Sequence, residues 1–288
     1  MVMDVEGRSS ARAWGAAARD RDAEPAQRPV VRRLSPAAAK LFAIWTCAWW
    51  SGVGVCGALF FLGALEFTSS AKLSLYGISI WLNGWLLAYV AQRYERRSRL
   101  DLYHDCVVLW MLSYAMTNLL WEIPWVLLSP FVFTDLHTLA DVVAQTGYMR
   151  ASVANMYWWV LASFASVDLR TVNHNSTFYV VELLAFANVC ATGCFFHLNR
   201  KRSPYRYLVV VLGCGEPIAA TFIFSFSEVF AGFPNMPGGP ADTLLALVWT
   251  QYQYFFFPML AGYLGVRLLR EDWRRQSHEV AYDSRSMR

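Results

Sequence analysis

An all-α membrane bundle is the fold this sequence predicts, and three observations carry that reading. Of its 288 residues, 56% are hydrophobic and 16% charged, where a soluble domain would carry about a quarter charged residues. The apolar residues gather in runs of bilayer length, about 20 residues each. The positive charges gather between the runs, on alternate loops. Together these give a polytopic helical bundle of about six transmembrane helices, with a short interfacial helix in one long non-cytosolic loop.

Taken in order, residues 1 to about 36 mix Ala, Arg, Asp and Pro without an apolar period and read as a disordered basic tail. No apolar h-region follows the start methionine, so a cleavable signal peptide is not expected. Spans follow near 39–65, 74–92, 104–130, 175–198, 205–230 and 242–268. Orientation comes from the cations. Arg28, Arg32, Arg33 and Lys40 precede the first span, Arg93, Arg96, Arg97 and Arg99 lie between the second and third, and Arg200, Lys201, Arg202 and Arg206 between the fourth and fifth. RLLREDWRR ends the sixth. Six spans with both termini in the cytosol put all four clusters on one side. The loop from about 131 to 173 then faces the other side, and its Trp-rich stretch MYWWVLASFASVD reads as the interfacial helix.

Several chemistries are excluded. The net charge of +4 resides at span ends and tails, which is topology information, and no nucleic-acid partner is implied. The six cysteines fall in apolar runs without a metal-like pair, and the five histidines are scattered. No metal or other cofactor is expected, and no nucleotide motif is present.

The informative residues are Glu122, inside AMTNLLWEIPWVLLSPFVF, and Glu182, inside TFYVVELLAFANVCATGCFFHL. A carboxylate in hydrocarbon costs on the order of 3 kcal/mol unless it is paired, protonated or facing a polar cavity. At 1.5 Å per residue, Glu122 and Glu182 lie roughly 10–12 Å from the far-side ends of their spans, with Thr221, Gln251 and Asn83 at about 13 Å. Polar residues sharing one layer on several helices are what a pocket between bundled helices would show. Glu216 falls deeper, before Pro217, and Glu228 close enough to the interface to be solvated. Asp168 and Arg170 read as a local ion pair or loop anchor.

DLRTVNHNSTFYVVE, from Asp168 to Glu182, resembles the stretch in emopamil-binding proteins, the sterol delta-eight to delta-seven isomerases, where an Asp-x-Arg pair precedes a buried Glu at the same interval. SPYRYLVVVLG, SEVFAGFPNMPGGP and TQYQYFFFP are similar to later segments of that family, with Gln251 at its Asn, Tyr254 at its Trp and Pro258 at its Pro. NLLWEIPW resembles its His-x-x-x-Glu segment, with Asn118 at the His and Glu122 at the Glu. The resemblance covers roughly residues 74–270 and identifies a divergent member of the EXPERA superfamily. It divides the chain into the tail, an additional N-terminal span over 37–73, the EXPERA-like membrane domain, and a cytosolic tail over 271–288.

The resemblance implies an endoplasmic reticulum membrane protein that shifts a carbon–carbon double bond in a sterol or terpenoid. That chemistry needs an acid to protonate the alkene, a base to take a neighbouring proton, and negative or π-rich walls around the carbocation between. Glu122 and Glu182 can split the acid and base roles, with Asn118 one turn from Glu122 to orient it. Trp121, Trp125 and Tyr254 supply ring faces, and Thr221, Gln251 and Asn83 polar contacts to substrate. Membrane lipid and cationic amphiphiles are the expected partners, and both monomer and homodimer stay open. Two rival readings share these residues: a non-catalytic sterol- or lipid-binding protein of the sigma-two receptor type, and an integral membrane terpene cyclase.

Overall fold

A computed structural model describes residues 32–81, 84, 98–133 and 136–286. The basic tail up to residue 31, Asn83 and Arg93, Arg96 and Arg97 lie outside the described residues. The described residues are 82% helical, with no strand among them. The helices are α1 (Pro36–Phe61), α2 (Phe67–Trp81), α3 (Arg99–Val132), α4 (Leu139–Gly147), α5 (Val153–Ala162), α6 (Ser176–Arg200), α7 (Arg206–Ala231), α8 (Pro240–Leu244) and α9 (Tyr252–Ser286). Four of them, α1, α3, α6 and α7, are long and apolar enough to cross a membrane.

Local chemistry sets the ends. Ser35 caps α1 ahead of Pro36, its Oγ accepting from the Ala38 amide at 3.1 Å. Ser98 does the same for α3 through Asp101 (3.2 Å) and Asn175 for α6 through Phe178 (3.0 Å). A reciprocal Thr138–Asp141 capping box opens α4. Gly232, at φ +79°, terminates α7 in the left-handed region that favours glycine.

Two of the expected spans do not coincide with a described helix long and apolar enough to cross a membrane. The one near 74–92 begins as α2, already at Phe67, and its remainder lies outside the described residues. The last is divided: α8 runs into a π-helical turn at Leu245–Trp249, a turn at Thr250–Gln251 follows, and α9 then continues to Ser286, through the segment expected to be a tail. The first helix, expected as an addition to the domain, packs along α2 and against α5.

Two apolar clusters fill the interior. One lies toward the end bearing Arg206, the basic end, and joins α3, α6, α7 and α9 through Val107, Leu109, Phe195, Tyr207 and Leu268. There Arg206 bonds Asp272 and Asn199, each at 3.0 Å, and Tyr207 OH lies 2.9 Å from His104 Nδ1. The other cluster lies under the long loop and joins Phe67, Trp125, Trp159, Phe164, Phe178 and Phe224. Trp159, Leu161, Ala162 and Ala165 are fully buried, so the Trp-rich stretch covers this end of the bundle, holding it through one side.

Candidate functional site

The cavity under that cover is built at helix irregularities. Pro124 has no N–H for the Leu120 carbonyl one turn back, and α3 widens into a π-helical turn over Asn118–Glu122. The freed Leu120 carbonyl accepts from Tyr157 OH at 2.7 Å, which ties the cover to the defect. The α6 helix breaks at Leu184, two residues past Glu182. The α7 helix breaks at Cys214, two residues before Glu216 and three before Pro217. The π-turn after α8 precedes Gln251. Irregular backbone at membrane depth is tolerated where it is buried in protein or lines a cavity, and here a cavity-lining residue lies at or within two residues of each of the four breaks.

Glu122, Glu182 and Glu216 come from three helices to line one cavity of about 100 Å³. Glu182 is 7% exposed, and Glu122 and Glu216 are half-buried. Among the described residues no trio of His, Cys, Asp or Glu is placed to hold a metal ion. Among the described residues, no Lys, Arg or His lines the cavity. Carboxyls that share one cavity repel one another when ionised, so the site can favour a positive charge placed among them.

The residues singled out in the sequence separate into two groups. Trp121, Thr221, Gln251 and Tyr254 line the cavity together with Glu122 and Glu182. Asn118 does not: it is fully buried, its Nδ2 donates to the Ala185 carbonyl at 3.3 Å, and its Oδ1 has no partner. It ties α3 to the α6 break. Trp125 is turned toward the cover, donating from Nε1 to the Thr171 carbonyl at 3.0 Å, and packs against Trp121 and Phe178. Asn83 lies outside the described residues.

Five further residues that line the cavity were not among the expected site residues. Glu216 is held by Tyr114, whose hydroxyl donates to its two carboxyl oxygens at 3.3 and 3.1 Å. The Tyr114 ring lies 5.5 Å from that of Tyr254. Gln253 lines the cavity with Oε1 unpartnered and Nε2 bonded to the Thr250 carbonyl at 2.6 Å. Trp49 and Trp50 bring α1 into the wall. Their signal was visible as a Trp-Trp pair inside an apolar run.

The cover is fastened by charge. Arg170 bonds Asp168 through Nε and Nη2 (3.0 and 2.6 Å), and its Nη1 donates to the Phe224 carbonyl and Ser227 Oγ, each at 2.8 Å. Its guanidinium sits 4.1 Å over the Phe224 ring. Glu228, expected to be solvated, is 2% exposed, 3.4 Å from Arg170 and bonded by Asn235 at 2.6 Å; the loop folds back over it. Burial pushes the Asp168 carboxyl up, and the hydrogen bonds and charge of Arg170 pull it back. The anchor reading of Asp168 and Arg170 thus extends to a network joining the cover to α7.

Comparison with family models, with curated proteins and with solved structures finds no match to this chain.

Proposed function

We propose that this chain is a multi-pass membrane isomerase that shifts a carbon–carbon double bond in a sterol or terpenoid drawn from the lipid phase. The observation that carries the reading is the convergence of Glu122, Glu182 and Glu216, from three helices, on one aromatic-walled cavity lined, among the described residues, by no basic side chain. One protonated carboxyl gives its proton to an alkene carbon. The electron pair of the double bond forms the new C–H bond, leaving a cation on the adjacent carbon. The remaining carboxylates and the rings of Trp121 and Tyr254 face that charge. A second carboxyl takes a proton from the carbon on the cation's other side, and those electrons form the shifted double bond. Glu122 and Glu182 are the acid–base pair. Glu216, held by Tyr114, adds negative charge beside them.

Kinship to the EXPERA superfamily is part of the same proposal, as are six spans, cytosolic termini and an endoplasmic reticulum membrane. In this topology the α8–α9 segment completes the sixth span, and α5 lies at the interface on the far side. Ser98→Cys and Ser152→Cys are expected to label from opposite faces of sealed vesicles; labelling from one face refutes it.

The function is tested by expressing the chain in cells that lack sterol delta-eight to delta-seven isomerase and profiling their sterols. Delta-seven products are expected with the wild-type chain and not with Glu122→Gln or Glu182→Gln. Unchanged accumulation of delta-eight sterols, with the protein present in the membrane, removes sterol isomerisation. A second reading, binding without turnover, is favoured by Asn118: it stands where the resembled family has an imidazole, and its amide is committed to Ala185.

A further inference from the structure

The carboxyl cavity is too small for the ligand the chemistry calls for. Ligand pockets commonly measure about 300–1,000 Å³, and this one has about 100 Å³. Beside it, between α1 and α2, lies a second space of about 390 Å³, apolar and open toward the outside of the bundle. Trp49, Val53, Ser74 and Trp81 border both spaces. The division between them is a wall of side chains, dominated by the stacked indoles of Trp49 and Trp81, whose centroids are 4.9 Å apart at 27°.

The groove is shaped by small residues on facing helices. Gly52 on α1 has no atom within 4 Å of where a Cβ would stand, and Gly77 on α2 leaves its space to the Trp49 indole edge, 3.6 Å away at Nε1. The indole N–H groups nearby are otherwise satisfied. Trp45 donates to the Trp81 carbonyl at 3.1 Å and Trp81 to Thr46 at 3.3 Å, whereas Trp49 Nε1 is buried without a hydrogen-bond partner. Leaving such a donor unmet costs about 1–3 kcal/mol, and Trp49 is thereby the indole of this wall that no hydrogen bond of its own holds in place.

We infer that the α1–α2 groove is the seat for the apolar body of the ligand, which lies across the Trp49–Trp81 wall with its reacting end among the carboxyls. The inference rests on the carboxyl reading above for the placement of the reacting end. It gives the first helix a role in binding and makes the ligand a lipid with an apolar body too long for the carboxyl cavity. The wall opens by rotation of Trp49 or Trp81, and access is lateral, from the bilayer.

The test uses the full chain in nanodiscs and two probes, N,N-dimethyloctylamine and N,N-dimethylhexadecylamine, with binding corrected for partition into protein-free discs. Gly52→Phe fills the groove from open space without touching the carboxyl cavity, and Leu73→Trp fills it independently from α2. Each plug is expected to weaken the hexadecyl probe about tenfold or more and the octyl probe by less than about twofold, reflecting burial of the extra methylenes. Unchanged hexadecyl binding with both plugs means that bulk lipid alone occupies the groove, and overturns the inference. Equal loss of both probes overturns it too, because the tail then has no separate seat. Glu182→Gln, run alongside, separates the two readings. If it weakens neither probe while the plugs still discriminate by length, the groove stands and the carboxyl reading falls.

Discussion

The two ends of the bundle treat buried polar groups in opposite ways. At the basic end, Arg206, Asp272, His104 and Tyr207 find partners within the protein, and the helical turns that carry them are regular. Under the cover, Glu122, Glu182, Glu216 and Gln251 face a shared space, and each sits within a few residues of a π-turn or a helix break. The first arrangement closes a core. The second spends helix regularity to point polar groups at something that is not protein, the kind of local departure expected where a fold makes room for function.

The largest effect expected from this contrast concerns the two buried arginines. Arg170→Met leaves Asp168 and Glu228 without their cation, and Arg206→Met leaves Asp272 likewise; removing one partner of a buried pair costs about 3–5 kcal/mol. Both variants should melt lower. Only Arg170→Met should also lose amine binding when measured well below both melting temperatures, because only that network fastens the cover over the cavity. Equal loss of binding in both would break the distinction between the two ends.

A smaller effect sharpens the same contrast. Leu109 is fully buried in the basic-end cluster, and Leu109→Ala should cost about 2–5 kcal/mol through transfer and cavity terms. Its amine affinity, scored per folded protein, should stay at the wild-type value. Glu122→Leu should do the reverse, keeping or raising the melting temperature by removing a carboxyl from an apolar site while abolishing amine binding. A Glu122→Leu chain that unfolds would make that carboxyl a structural element.

The smallest effect lies outside both clusters, in the cover. The Thr138 side chain and backbone, bonding Asp141 in the capping box, hold its carboxyl below the usual range. A lowered folded-state pKa contributes stability that is present above the unfolded value of about 3.9 and is lost as pH falls through the folded value. Amide exchange within Leu139–Gly147, corrected for its intrinsic pH dependence, should therefore quicken below about pH 4, and Asp141→Asn should abolish that dependence. Exchange that quickens identically in both chains would assign the transition to another group.

Much of this was legible in the sequence, for physical reasons that also explain what was not. Glu122 and Glu182 stood out because charge in a long apolar run is expensive, and Thr221, Gln251 and Tyr254 followed from depth and the family resemblance. Depth assumed straight helices. Glu216 was therefore set below the layer, although the break at Cys214 lets it face the same cavity. Asn118 was placed by its spacing from Glu122, and the π-turn that starts there alters the geometry on which such spacing depends. Trp49 and Trp50 were left out because the first span carried no resemblance, and only the packing of α1 on α2 shows what they border. Glu228 needed the loop's return path, through Asn235, before its partner could be known.

The central claim is that the cavity carboxyls are there to face positive charge. Its most direct test is the affinity of the full chain in nanodiscs for a hydrophobic tertiary amine against its uncharged carbon isostere, measured for wild type, Glu122→Gln and Glu182→Gln. The wild-type chain is expected to prefer the amine by about tenfold or more. Each Gln variant should lose that preference while keeping its melting temperature, because glutamine preserves volume and hydrogen bonding but carries no charge. An amine preference that survives in both variants would contradict the account.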